Sequence, residues 1–377
     1  MEDGDIKVAI LGAGLSGLTC AITLEKHGIN PVIFEKRRQA GDRFVNGEIL
    51  LSLLSQPVDD VIAYFADNYQ IYLQPVSHIR SLILHSEHAK AVINGKLGFC
   101  NIRGRHEKSF ENQLARQVKS EIVYNSEYTY EQLVHDYTHV VLATGDAAYA
   151  LALRNYKQDF TTLLNGYTVA GDFDRYTVRA WLNNQFAPYG YGYFIPLSEK
   201  EANLVLWHPE YSIHQKQDQN LLLTQFFKQA QKDLDQELRI IDHFEVQHYS
   251  IGLCRYPRIG NTYYTGNCFG AIDPYLGFGQ FISILTGVYA ALDICGIAKY
   301  EELTKPLRQN HENSLVLRRA WELFDNRRFD WMVRFFGSGI GKKIFTSQKY
   351  DAVKIASFLA RPWVRLLRLS RGLRASD

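Results

Sequence analysis

Residues Ile6–Gly28, IKVAILGAGLSGLTCAITLEKHG, constrain the fold more tightly than any other stretch of this 377-residue chain. The apolar run from Ile6 to Leu11 reads as a buried strand, and Gly12, Gly14 and Gly17 follow it as G-x-G-x-x-G. Leu15, Leu18, Ile22 and Leu24 give the next segment the apolar face of a helix, and Gly28 ends it. PVIFEK then reads as a second strand, with Glu35 lying 23 residues beyond Gly12. Strand, glycine turn, helix, strand and acid stand in the order of a dinucleotide-binding unit. Gly12 permits the tight turn, Gly14 lets backbone N–H groups approach a pyrophosphate, and Gly17 lets helix and strand pack closely. Leu15 and Ser16 open the helix, whose free donors and positive dipole end favour phosphate. Glu35, followed by Lys36, would accept hydrogen bonds from ribose hydroxyls. A nucleophile elbow is excluded, because Leu18 stands where G-x-S-x-G needs its last glycine.

Two later segments carry more of the pattern. HVVLATGDA, His139 to Ala147, is a buried strand running into Ala143-Thr144-Gly145. Asn261 to Leu292 contains a strand ending at Gly266-Asn267, then Pro274, then Gly277-Phe278-Gly279 before a long apolar helix. Taken together, the three motifs resemble the FAD-binding fold of aromatic hydroxylases, halogenases and geranylgeranyl reductases. The resemblance implies that Gly266-Asn267 meets the ribityl or ribose part of FAD. It also implies that the glycines 277 and 279, with Phe278, face the flavin ring. Asn267 replaces the usual Asp. No second G-x-G-x-x-G follows a strand, so no separate NAD(P)H domain is expected. GSGIGKK, Gly337 to Lys343, fails as a phosphate loop because Phe336 occupies the first glycine position.

The stretch PYGYGYFIPL, Pro188 to Leu197, is similar to the Y-x-W-x-F-P segment of geranylgeranyl reductases, which lines their substrate cavity. Alternation puts Tyr191, Tyr193 and Ile195 on one strand face, followed by Pro196, and Gly190 and Gly192 leave room for a backbone or ligand. The ending Ile195-Pro196 also matches the halogenase version W-x-W-x-I-P, with both tryptophans replaced. Thr144-Gly145 at the central strand resembles the reductases of the prenyl class. By resemblance, AGDRFVNG (Ala40–Gly47) matches a reductase loop that carries a cysteine near the flavin. This chain has none there, although Arg43 is a candidate for FAD phosphate. Arg103 or Arg105 matches an arginine that reaches FAD, with Arg103 preferred. No catalytic residue can be named.

The expected fold class is α/β. A Rossmann-like FAD-binding domain (residues 1–75, 100–150 and 250–298) holds an inserted antiparallel-sheet substrate domain of α+β character (76–99 and 151–249). A C-terminal helical region (299–377) follows. Helices are expected near Leu221–Leu238 and over Phe281–Ala298, and HSEH, His85 to His88, reads as a surface loop with too few ligands for a metal. The implied reaction is reduction of carbon–carbon double bonds in a prenyl lipid or similar apolar substrate. Hydride would come from reduced FAD, with NAD(P)H or ferredoxin as reductant. A monooxygenase, a halogenase and a flavin-binding electron-transfer module remain open.

Charge narrows the partners. The net charge of +2 gives no nucleic-acid footprint, yet Lys299 to Asp377 holds 17 Lys or Arg against 8 Asp or Glu. RPWVRLLRLSRGLR would place Arg361, Arg365 and Arg368 on one helix face, with Trp363, Leu366, Leu367 and Leu373 elsewhere, the pattern of a membrane-surface helix. Five scattered cysteines without a CxxC pair, and no basic-then-apolar leader in MEDGDIKVAIL, suit a reducing cytoplasm, with contact at the inner face of the membrane.

Overall fold

The computed structural model of the protein describes residues 6–211, 218–346 and 351–370, with side chains as far as Val364. Among these residues the strands are β1 (Val8–Leu11), β2 (Val32–Phe34), β3 (Asn46–Leu51), β4 (Ser77–Ser86), β5 (Lys90–Arg103), β6 (Ile122–Val123) and β7 (His139–Leu142). They continue with β8 (Tyr156–Ala170), β9 (Thr177–Leu182), β10 (Tyr191–Pro196), β11 (Glu201–Pro209), β12 (Arg239–Cys254), β13 (Arg258–Ile259) and β14 (Thr262–Tyr264).

The first sheet has the order β13-β14-β7-β1-β2-β6. Every residue of β1 is buried, so the strand needs partners on both edges and helices on both faces. Parallel β2 and β7 supply the edges, pairing Ala9 with Val32 and with Val140. One face is covered by helix Leu15–Lys26, which lies against helix Gln280–Ile294. Thr19 Oγ1 donates to the carbonyl of Ile284 at 3.2 Å across that contact. An added Cβ on Gly287 would stand 2.1 Å from the carbonyl oxygen of Ser16, so the crossing tolerates no side chain there. Helix Gln280–Ile294 is the buried helix expected over Phe281–Ala298. Its last residues include Asp293, which pairs with Arg258 at 2.9 Å.

The second sheet has the order β12-β8-β11-β10-β9-β4-β5-β3 and is antiparallel except where β4 meets β9. Here the expected domain limits need correction. Asn46–Leu51, placed in the FAD-binding segment 1–75, pairs with Gly98–Arg103 in the large sheet. Ile49 and Leu51 join the core of that sheet while Leu50 joins the core of the first, so a run buried on both faces hid the period of two. Helix Gln219–Leu234 is shorter than Leu221–Leu238. It starts where Asp218 accepts from the N–H of Asn220 and Leu221, and it ends at Asp235 with φ 54°. Four helices from Tyr300 to Ser370 follow. No described helix is long and apolar enough to cross a membrane. The side chains of Arg365, Leu366, Leu367 and Arg368, and all of Leu373, lie outside the described residues.

His85 is not in a surface loop. It ends β4, is 6% exposed, and stacks on Trp181 with ring centroids 5.1 Å apart. Burial depresses its pKa to about 4, with Asp233 opposing and Arg179 adding to the shift. The folded pKa lies below the unfolded value near 6.5, so the unfolded chain binds the proton more readily. The resulting stability is complete above pH 6.5 and is lost as pH falls from 6.5 through 4. The span corresponds to about 3 kcal/mol. Urea melts at pH 7 and pH 4 should show that loss in the parent protein. His85→Phe keeps the stack on Trp181 and should lose about that much less.

Candidate functional site

Four loops of the first sheet leave from the carboxyl ends of its parallel strands, β1, β2, β7 and β14. In open α/β sheets that is the edge where ligands bind. The loops border a cavity of about 410 Å3, within the roughly 300–1,000 Å3 usual for ligand pockets. Its opposite wall is the second sheet, through Asn46, Glu48, Arg103, Leu164, Trp207 and Tyr249 among others.

Of the residues singled out by sequence, Gly14, Leu15, Ser16, Glu35, Lys36, Arg43, Arg103, Thr144, Gly145, Gly266, Asn267, Gly277 and Gly279 line this one cavity. Gly12 and Gly17 stand behind it. A Cβ on Gly12 would lie 2.3 Å from the carbonyl of Ala143, and one on Gly17 would lie 2.0 Å from that of Gly12. Gly14 is different. A Cβ there meets only the Ala143 carbonyl at 3.9 Å, so the protein itself leaves space in front of it. Phe278 turns away, into a second cavity.

These residues fit FAD. Glu35 is nearly buried and accepts from the backbone N–H of Ala13 at 2.8 Å and of Arg37 at 2.9 Å, which holds the acid at the end of β2. Helices Leu15–Lys26 and Gln280–Ile294 both aim their N-termini at the cavity, so two positive dipole ends face one ligand. The loop before the second helix is held rigid. Asp273 Oδ1 accepts from the N–H of Tyr275 and Leu276 at 2.9 and 2.7 Å, and the Gly277 N–H donates back to the Asp273 carbonyl at 2.8 Å.

Asn267 explains its own departure from Asp. Its amide nitrogen donates to the carbonyl of Gly145 at 2.8 Å and meets the hydroxyl of Tyr249. The Tyr249 hydroxyl donates to the same carbonyl, and burial pushes its pKa up to about 12. A carboxylate at 267 would set negative charge against that carbonyl. Arg103 is preoccupied: it pairs with Glu111 at 2.8 Å and Glu48 at 3.3 Å. Burial opposes its charge, but the two carboxylates outweigh burial and hold its pKa above the ordinary arginine value. Arg105, half exposed, faces Asp242 at 3.6 Å and does not line the cavity.

The aromatic strand needs a correction. Tyr191, Tyr193 and Ile195 do share a buried face, but neither they nor Pro196 line either cavity. Tyr191 donates its hydroxyl to the Leu276 carbonyl and packs against Trp207 and Trp321, with centroids 5.4 and 6.5 Å away. The strand thereby braces the loop before helix Gln280–Ile294. Gly190 and Gly192 make room for the protein itself: a Cβ would meet the Trp207 carbonyl at 2.0 Å and the Phe226 ring at 2.4 Å.

Asn46, expected with Gly47 near the flavin ring, lines the cavity, and so do Gln280, Glu48, Trp207 and Tyr249, which the sequence reading passed over. Gln280 is 2% exposed and neither atom of its amide has a protein partner. Its position directly after Gly279 was a usable signal; the other three carry none. No cysteine lines the cavity. Cys268 is buried, donates to the Asp146 carbonyl at 3.1 Å, and has its pKa pushed up to about 11 by burial.

Two outcomes test this site. Gly14→Ala should fold with an unchanged melting temperature yet lose at least about tenfold in FAD affinity, whereas Gly17→Ala should lose the fold itself. Flavin absorbance and thermal melts separate the two. Asn267→Asp should bind FAD more weakly than Asn267→Ala, by about tenfold, in a titration followed by flavin fluorescence.

Residues 6–185 match the model of a family described as pyridine nucleotide-disulphide oxidoreductase. A comparison with curated proteins finds no match. Among solved structures, a geranylgeranyl bacteriochlorophyll reductase-like protein from Thermoplasma acidophilum superposes with a TM-score of 0.72 at 14% identity, covering 97% of this chain and 100% of that one. The flavin-dependent halogenase CmlS gives 0.65 at 13% identity, covering 97% and 78%. The p-nitrophenol 4-monooxygenase PnpA of Pseudomonas putida DLL-E4 gives 0.61 at 11% identity, covering 93% and 99%. With its two helix N-termini, the buried Glu35 at the end of β2 and its three glycine turns around one cavity, this chain has the FAD-binding oxidoreductase fold that those proteins share.

Proposed function

We propose that this protein reduces carbon–carbon double bonds of a prenyl lipid or similar apolar substrate, using FAD that is recharged by NAD(P)H or ferredoxin. Bound FAD would supply the hydride. The observation that carries the reading is the wall opposite the glycine loop. Leu164, Trp207, Val246 and Ile251 form an apolar patch on it, which Ile272 extends, beside the polar Asn46, Glu48, Arg103 and Tyr249. Burying a flat hydrocarbon there gains about 25 cal/mol per Å2 removed from water, and water is excluded at the same time. The likeness in fold to the geranylgeranyl bacteriochlorophyll reductase-like protein supports the same class of chemistry.

The residues divide the work. Gly14, Ser16 and the helix N-termini would hold the phosphates, and Glu35 the ribose. The loop 273–279, braced by Tyr191 and Trp207, would fix the ring against the apolar wall. Because an isolated alkene is weakly electrophilic, positioning must carry much of the rate. With no thiol at the cavity, the proton must come from an oxygen acid or from water. Five free cysteines fit a reducing cytoplasm.

A second reading, an FAD monooxygenase or halogenase, is favoured by the likeness to CmlS and PnpA. Anaerobic photoreduction of the purified holoprotein with geranylgeranyl diphosphate separates the two. Loss of alkene without oxygen is the expected result. Product that forms only with oxygen, or only with oxygen and halide, would overturn the reductase reading.

A further inference from the structure

The helix that begins at Ala352 packs on the protein through a mixed side, where Val364 is buried beside polar groups. Ser357 is buried, and Arg361 is half-buried, its Nη2 donating to Asn313 Oδ1 at 2.6 Å. Ile355, Phe358, Leu359 and Trp363 lie on the other side, 48, 73, 70 and 64% exposed. Their spacing is that of one apolar stripe on a helix, here pointing outwards. Of the basic face read in the sequence, Arg361 turns inwards. The two preceding helices add Trp331, Ile340 and Ile344, at 66, 70 and 43% exposure.

Charge identifies what covers this stripe. From Asn326 to Arg374 the sequence has 12 Lys or Arg and only two acids, Asp330 and Asp351. Asp330 is buried, accepting from the Ser86 hydroxyl and the His88 N–H, and Asp351 accepts from the Lys354 N–H. Arg327, Arg328, Arg334, Lys342, Lys343 and Lys354 are exposed. A second copy of the chain would meet this face with the same face, so cations would oppose cations. An anionic bilayer offers both an apolar interior for the stripe and phosphates for the cations.

We infer that the outward face of helix Ala352–Ser370 is a docking surface for anionic lipid bilayers. Its position gives the docking a purpose, and this part rests on the apolar substrate proposed above. Asp351, Val353 and Lys354 line the second cavity, of about 80 Å3, together with Leu54, Phe281 and Leu307. That cavity shares Ile272, Gly279 and Gln280 with the FAD cavity. A bilayer on the helix would therefore lie beside a small cavity that adjoins the FAD cavity.

The test uses the full-length holoprotein and vesicles of phosphatidylcholine, either alone or with about one third phosphatidylglycerol. The protein should float with the anionic vesicles at low salt, and stay behind with the neutral vesicles or at high salt. Phe358→Glu/Leu359→Glu should abolish flotation. Lys342→Ala/Lys343→Ala should weaken it roughly thirtyfold. Brominated lipid should quench tryptophan emission, and less so in Trp363→Phe. Flotation equal in the Phe358/Leu359 double variant and the parent would overturn the inference, as would no flotation of the parent. So would a lipid-free dimer that the double variant dissolves, which would assign the face to a second copy. Flavin absorbance of each preparation shows that the variant is folded. A colourless protein that still floats would remove the flavin reading and leave the docking surface standing.

Discussion

Everything at the FAD cavity depends on how closely two helices approach. Helix Leu15–Lys26 and helix Gln280–Ile294 come from opposite ends of the sequence, and Gly287 is where they touch, against the Ser16 carbonyl. Remove that closeness and the two N-termini no longer point at one place. Gly12 and Gly17 set the first helix on its strand in the same way, by lacking a Cβ against backbone. The site is thus assembled by missing atoms: close contacts first, two positive dipole ends second, a place for two phosphates last.

The second sheet contributes the other wall, and its aromatic wealth follows from that duty. Tyr191, Trp207, Tyr275 and Trp321 form a connected set of rings, and Arg318, fully buried, stands 5.5 Å from the Trp207 ring. Only Trp207 of these reaches the FAD cavity. The rest stiffen the loop between β14 and helix Gln280–Ile294. A loop rich in glycine would otherwise lose the most freedom on ordering, so rigid neighbours are the physical means of keeping it in place.

The first sheet was legible because its cues are local: an apolar run, a glycine turn and an acid at a fixed distance. Gly14, Glu35, Thr144, Gly266 and Asn267 were found that way, and the structure brings them together around one cavity. The second sheet was less legible. Asn46–Leu51 is buried on both faces, which erases the period of two. Tyr191 and Tyr193 looked like ligand contacts because nothing local reveals Trp321, which packs on Tyr191 from a helix some 130 positions away. Tyr249 and Asn267 form a pair only in space. Arg103 was visible as a cation near the site, but not the two carboxylates that hold it.

Gln280 links these threads. It is the first residue of the helix whose N-terminus faces the FAD cavity, and it also lines the second cavity. A buried amide with neither donor nor acceptor engaged costs on the order of 1–3 kcal/mol per unsatisfied group. Leucine or methionine at this position would fill the same space without that cost. A bound group or an ordered water in either cavity would complete its hydrogen bonds. The side chain borders both cavities. The amide sits where the second cavity and the cofactor cavity adjoin, at the N-terminus whose dipole faces the latter.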